Sequence, residues 1–290
     1  MTKIRTYYDI ISDYLTWFAN ISENDDLLPE NYLSGDKEEV KMKKVKAWQE
    51  ILKLSYDDKD GMYWFFKFIL GDMTYAGYPE PIIFNQLWLD WTKISRRGDH
   101  LLIKCPRQHS KSTYWTVVLP IYRASLFENY NILIESASEE QAIALLNFAK
   151  NVIDNNEFLR SKKAIAGRWS TTEMTYNGGV IRARGVGSEV RGGTYDYIAC
   201  DDILRSDNKL SDTEIEKFID EELEPMLLVR NGQLVIVGTP KSETDIFNTI
   251  EERINQFDAG WEYHTYQAIL DWDKQILLSP YRFTWEQLMS

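Results

Sequence analysis

From residue 100 onward the chain alternates short apolar runs with amphipathic stretches. "HLLIKC" is an apolar run that predicts a strand. A five-residue loop, "PRQHS", follows it, and then "KSTYWTVVLPIYRASL", a helix that Pro120 should bend or end. "YNILIESAS" predicts a strand, and "SEEQAIALLNFAKNVIDNN" a helix that Ser138 can cap, with Glu139 and Glu140 in its first turn. "STTEMTYNGGVIRARGV" reads as a hairpin turning on Asn177-Gly178. "YDYIACDD" predicts a strand ending in two carboxylates, "SDTEIEKFIDEELEPML" a helix capped by Ser211 or Asp212, and "GQLVIVGTP" another buried strand. Apolar strands separated by loops and helices predict an α/β fold with a mostly parallel central sheet flanked by helices, the hairpin being an insertion in it. Residues 1–60 follow a different pattern. There "DKEEVKMKKVKAWQEILKLSY" places Val40, Val45, Trp48, Ile51 and Leu52 close to helical spacing, which predicts a helical N-terminal segment.

At 290 residues, with 44% hydrophobic and 13% aromatic, the chain suits one large domain or a core with a smaller attachment. Its longest apolar stretch, Met62 to Leu70, is interrupted by Lys67 and too short to span a bilayer, so no membrane is expected. "MTKIRTYYDIISDY" lacks the features of a signal peptide, and two cysteines make no disulfide framework; a reducing cytoplasm is expected. A net charge of -12 and a pI near 4.9 exclude a surface that grips nucleic acid all over. The acids crowd the first 60 residues, however, whereas "KISRRGDH", "CPRQHSK" and "VIRARGVGSEVRGG" are locally basic. A phosphate-handling surface is therefore expected between residues 93 and 192.

In such sheets ligands bind beyond the carboxyl ends of the strands, and three strand ends here carry unusual residues. "CPRQHSKS" approaches the phosphate-loop pattern G-x-x-x-x-G-K-[ST], with Cys105 and Ser110 in the glycine positions. Read as that loop, it gives Lys111 to the β- and γ-phosphates, Ser112 to Mg²⁺ and Arg107 to the γ-phosphate; read otherwise, it is a basic turn before a helix. Ser110 must either take a left-handed backbone angle, at about 1–2 kcal/mol, or shift the loop. Asp201 and Asp202 suit a Walker B pair, the first holding Mg²⁺ through water and the second polarising the attacking water, or else form a solvated strand end. Thr239, in Gly238-Thr239-Pro240, stands where a hydroxyl could sense the γ-phosphate, or in a plain Gly-Pro turn. Three such signals in this order reinforce one another.

"PRQHSKST", "VRGGTYDYIACDD" and "IVGTP", in this order and spacing, resemble the ATPase domain of the large terminase subunit of tailed bacteriophages, which packages genomic DNA into preformed capsids. The resemblance covers roughly residues 80 to 285. It implies a P-loop NTPase of the ASCE type, with ATP and Mg²⁺ as cofactors. The family loop often reads P-R-x-H-G-K-S-T, so Arg107, His109, Lys111, Ser112 and Thr113 match and Ser110 departs. Carried over, it makes Cys105, Pro106, Arg107, Gln108, His109, Ser110, Lys111, Ser112 and Thr113 the nucleotide cradle. Gln86 becomes the adenine contact (Asn85 competes), Asp201 the metal acid beside Ser112, and Asp202 the catalytic acid. Thr239 falls in the coupling motif. Arg191 corresponds to a finger acting on a neighbouring subunit, with Arg182 and Arg184 as rivals, and it joins Asp202, Lys111 and Arg107 among the catalytic residues.

The same resemblance implies double-stranded viral DNA, a portal protein and a small terminase subunit as partners. It also implies a homo-oligomeric ring when assembled, a monomer in isolation, and a place in the host cell cytoplasm. The organisation it suggests is a helical segment over 1–60, a P-loop ATPase core over 61–262, and a linker over 263–290 leading to an absent nuclease domain. The capping-box spacing of Thr284 and Gln287 just before the last residue fits that truncation, so no nuclease activity is expected. Cys105 and Cys200 are expected on neighbouring strands as small buried hydrophobes. The alternatives are a helicase-like nucleic-acid ATPase and a non-catalytic module that docks on a portal.

Overall fold

The computed structural model describes residues 61–62, 65–70, 85–95, 98–163, 167–188, 192–203, 211–229, 231–240, 246–257 and 260–289. The segment over 1–60 and Arg191 lie outside them. The chain divides into two compact units, one of Arg96–Tyr266 and one of Met1–Ser95 with Gln267–Ser290.

In the unit Arg96–Tyr266 the apolar runs become β1 (His100–Lys104), β2 (Ile132–Ser136), β3 (Glu173–Tyr176), β4 (Gly179–Gly185), β5 (Tyr197–Asp201), β6 (Gln233–Gly238) and β7 (Trp261–Thr265). They form one sheet in the order β3-β4-β2-β5-β6-β1-β7. Every neighbouring pair is parallel except β3 with β4. The inner strands β2, β5 and β6 are buried at every position, which is why their sequences read as unbroken apolar runs. This is the expected α/β architecture with helices on both faces.

Two sequence expectations change here. The hairpin turns where expected, with Asn177 at φ 48° and Gly178 at φ 83°, as its two-residue loop requires. It is not an insertion, because β4 pairs in parallel with β2 and belongs to the main sheet. Nor do Cys105 and Cys200 stand on neighbouring strands, since β6 lies between β1 and β5. Both thiols are buried and free, as small hydrophobes.

The strand alternation sorts the core into two faces. On one, Leu133, Cys200 and Ile236 pack on Ile219 and Leu223 of the π-helical stretch Phe218–Leu223 and on Phe247. On the other, Tyr197 donates its hydroxyl to Trp115 O at 2.7 Å, tying β5 to the helix that follows β1. Further along that helix Arg123 is 1% exposed, with Nη1 2.5 Å from Gln233 Oε1 and its guanidinium 5.0 Å over the Tyr197 ring. A buried guanidinium is tolerable only with such partners.

Helix begins at Lys111, widens to a π-helical stretch over Thr113–Val118, and continues as α1 (Leu119–Leu126). Pro120 therefore neither ends nor breaks it. The π turn, in which Leu119 N–H reaches Tyr114 O, loosens the ladder just where the ring of Pro120 would strain it. α2 (Glu139–Asp154) is capped by Ser138, whose Oγ accepts from Gln141 N at 3.3 Å; α3 (Glu157–Arg160) is a single turn. Of the two caps considered for α4 (Asp212–Lys217), Ser211 serves, in a capping box with Glu214. α4 runs on through a π stretch, Phe218–Leu223, and α5 (Ile246–Phe257) joins β6 to β7.

The other unit contains a buried π-helical stretch, Phe65–Leu70, and a helix Gln86–Ile94. It also has a small antiparallel pair, Ile269–Asp271 with Ile276–Leu277. Its last helix, Trp285–Met289, starts with the expected capping box: Thr284 N donates to Gln287 Oε1 at 2.8 Å and Gln287 N to Thr284 Oγ1 at 3.3 Å. Among the described residues no helix is long and apolar enough to cross a membrane.

Candidate nucleotide and metal site

Parallel pairing sets the carboxyl ends of β1, β6 and β5 side by side, and with them the three motifs. The connection after β1 is a loop without glycine in which Gln108 (φ 62°) and Ser110 (φ 60°) are both left-handed. Of the two alternatives open to Ser110, the loop takes the strained angle. Between these two residues His109 is buried, with Nδ1 2.8 Å from Arg107 O. A carbonyl only accepts, so Nδ1 carries the proton, and the ring braces the loop from inside. Left-handed residues in a loop of this kind turn successive N–H groups toward one point, and the helix that starts at Lys111 adds its first-turn donors.

Lys111 is buried, and its ammonium lies 3.6 Å from Asp202 Oδ2. Ser112 donates its hydroxyl to Asp201 Oδ1 at 2.7 Å, joining the helix after β1 to the tip of β5. Burial pushes the Asp201 carboxyl up to about 7, and the adjacent Asp202 charge adds to this; the Ser112 hydrogen bond and Lys111 oppose it. Such a carboxylate gains most from a cation that would hold it ionised.

A hydroxyl and a carboxylate in contact are hard oxygen donors that fit Mg²⁺, which keeps several waters and relies on substrate phosphates. Among the described residues no group of three or more His, Cys, Asp or Glu side chains is placed to hold a metal without such help. Ser112 and Asp201 are thus the residues that would hold it.

β6 fastens both tips. Cys105 N donates to Gly238 O at 3.0 Å, Thr239 Oγ1 donates to Cys105 O at 2.9 Å, and Asp202 N donates to Val237 O at 2.8 Å. Thr239 is thereby in contact with the loop itself. Cys105 contributes through its backbone, because burial raises its thiol to about 12 and keeps it protonated.

The remaining expected residues fall as follows. Pro106 is half-buried, Arg107 and Gln108 are exposed in the turn, and Thr113 is buried at the head of the π stretch. Gln86 opens the helix Gln86–Ile94 of the other unit, and its competitor Asn85 caps that helix, accepting from Trp88 N at 3.0 Å. Of the rivals to Arg191, Arg182 is held by Glu173 at 2.5 Å and by the Tyr195 hydroxyl at 3.3 Å; Arg184 lies next to it on β4.

No family model matches the sequence, and no curated protein matches it. Among solved structures, the large terminase of bacteriophage HK97 is 14% identical, covering 67% of this chain and 41% of that one, with a TM-score of 0.48. The large terminase of a thermophilic bacteriophage in complex with ATP-gamma-S is 13% identical, covering 61% and 41%, with a TM-score of 0.38. The ADP complex of the same terminase is 10% identical, covering 62% and 42%, with a TM-score of 0.38. These matches are large terminases of bacteriophages. The chain spans about two-fifths of the length of the terminases it matches.

Two residues of the site escaped the sequence reading. Lys104, the last residue of β1, is buried and held by Asn248 (2.8 Å) and Glu251 of α5, so the strand feeding the loop is anchored to the helix after β6. Ser136, at the end of β2, donates to Asp201 O at 2.9 Å. The available signal was its place: a small polar residue closing an apolar strand at the carboxyl edge of the sheet.

Proposed function

We propose that the chain hydrolyses ATP with Mg²⁺ as the ATPase motor of a viral DNA-packaging terminase. The observation that carries this reading is the convergence of Lys111, Ser112, Asp201 and Asp202, from two strand tips, with Thr239 bonded to the loop between them. A decayed loop would have no reason to keep two left-handed non-glycine residues beside a buried lysine. Lys111 and the loop N–H groups hold the β- and γ-phosphates, and Asp202, within 3.6 Å of Lys111, orients the attacking water. Ser112 and Asp201 would hold Mg²⁺, which would supply charge neutralisation for the bound phosphates. Thr239 reports phosphate occupancy to β6.

Arg191 acts in this reading on the neighbouring subunit of a ring. The portal, the small terminase subunit and the host cytoplasm belong to the same proposal. Double-stranded DNA is the track. Residues 158–163 and 167–188 offer it a surface, with Arg160, Lys162, Lys163, Arg168, Arg182 and Arg184 against the single acid Glu173 in a chain of net charge -12. Much of this stretch lies at the β3 edge of the sheet, where Lys163 Nζ sits 3.6 Å over the Trp169 ring.

The test is Mg²⁺-dependent phosphate release from ATP across a range of protein concentrations, with Lys111→Ala and Arg191→Ala beside the wild type. Activity that rises steeply with concentration and is lost in both variants is expected. A wild type that matches Lys111→Ala and binds no ATP would leave a docking module instead.

A further inference from the structure

We infer that Ser136 is a positioning residue for hydrolysis: its hydroxyl fixes the peptide joining Asp201 to Asp202 and so aims the Asp202 carboxylate. This rests on the ATPase reading above. Asp202 has φ 51°, a left-handed angle uncommon for a residue with a side chain, although aspartate takes it more readily than most, and here it is held in place. What holds it is a pair of hydrogen bonds on one peptide group. Its N–H, on Asp202, donates to Val237 O of β6 at 2.8 Å; its carbonyl, on Asp201, accepts from Ser136 Oγ of β2 at 2.9 Å. A peptide plane gripped at both polar ends cannot swing, and that plane sets the direction in which the Asp202 side chain leaves the strand.

β2 ends at Ser136, whose own carbonyl accepts from Val186 N at 2.9 Å. Ser136 is 1% exposed, so water does not readily replace its hydroxyl. The same hydroxyl lies 3.3 Å from Gln141 Oε1 in the first turn of α2. With one proton to give, it serves the nearer acceptor, Asp201 O, and Gln141 is a secondary contact. Without the hydroxyl, the 201–202 peptide keeps only its β6 anchor and can relax away from the left-handed angle. The carboxylate would then leave its place beside Lys111, while the loop, Lys111 and Ser112 keep theirs. Chemistry should suffer and nucleotide binding should not.

The experiment measures steady-state ATP hydrolysis and the affinity for a fluorescent ATP analogue in the wild type, Ser136→Ala, Ser136→Thr, Ser136→Cys, Gln141→Ala and Lys111→Ala. Ser136→Ala is expected to lose about ten- to a hundredfold in kcat, with KM and analogue affinity within about threefold of wild type. Ser136→Thr restores kcat, and Ser136→Cys, nearly isosteric with a weak S–H donor, falls between the two even if the alanine variant folds poorly. Gln141→Ala, at an exposed position, stays close to wild type. A Ser136→Ala enzyme with wild-type kcat overturns the inference while leaving the ATPase reading intact. So does equal impairment of the alanine and threonine variants, or a parallel loss of nucleotide affinity, which would mean general loosening. A wild type no better than Lys111→Ala overturns both.

Discussion

The tips of β1 and β5 share a fastening on β6 but carry their strain differently. The loop after β1 carries its strain internally, at Gln108 and Ser110, and is braced from within by His109. The tip of β5 carries one left-handed residue, Asp202, and is held from outside by β2 and β6. The first can change its sequence, even to serine in place of glycine, provided the loop keeps its shape. The second depends on residues far away in the chain, so its geometry is a property of the sheet.

The largest effects should separate the two tips by what they lose. Lys111→Ala is expected to abolish both hydrolysis and nucleotide affinity, whereas Asp202→Asn should cost about a thousandfold in kcat and leave affinity within a few-fold. Equal loss of affinity in both would mean that the two tips do not divide the work in this way.

A smaller effect concerns protons. Asp201, ordinarily near 3.8, is pushed up to about 7, and Glu135, buried on β2, is pushed from 4.5 to about 8 by burial and by Glu222 against the pull of Arg184. In the window between these values the folded chain binds protons that the unfolded chain has released, so stability falls as pH rises. Denaturant titrations between pH 5 and pH 8 should show this decline. Asp201→Asn and Glu135→Gln should each flatten it, and a wild-type curve that is flat or rising would remove the basis for both shifts.

The smallest effect bears on Ser110. Ser110→Gly relieves the left-handed angle at some cost in chain entropy, so it should raise the thermal midpoint by roughly 2 °C. Its kcat should hold within about threefold, because the loop shape is unchanged. A large rise in kcat would show that the serine limits turnover.

Much of this was legible in the sequence because each local signal had a local cause. The apolar runs of β2, β5 and β6 are unbroken because those strands are buried on both faces, and Asn177-Gly178 and Ser138 act within a few residues of themselves. What was not legible depends on order in the sheet. No spacing in the chain shows that β6 separates Cys105 from Cys200, or that β4 joins β2. Pro120 did not end its helix, for a related reason, since a π turn one step earlier accommodates it. Ser136 fell inside a predicted strand with no role assigned, because its partner, Asp201 O, lies 65 residues on.

β6 also acts as a gauge. Its consecutive carbonyls, Val237 O and Gly238 O, reach to opposite sides, one to Asp202 N and one to Cys105 N. Backbone hydrogen bonding to this one strand therefore sets the two tips two strand spacings apart, about 9.5 Å. Substitution can change which groups stand at either tip, but the width of the opening they frame belongs to the main chain.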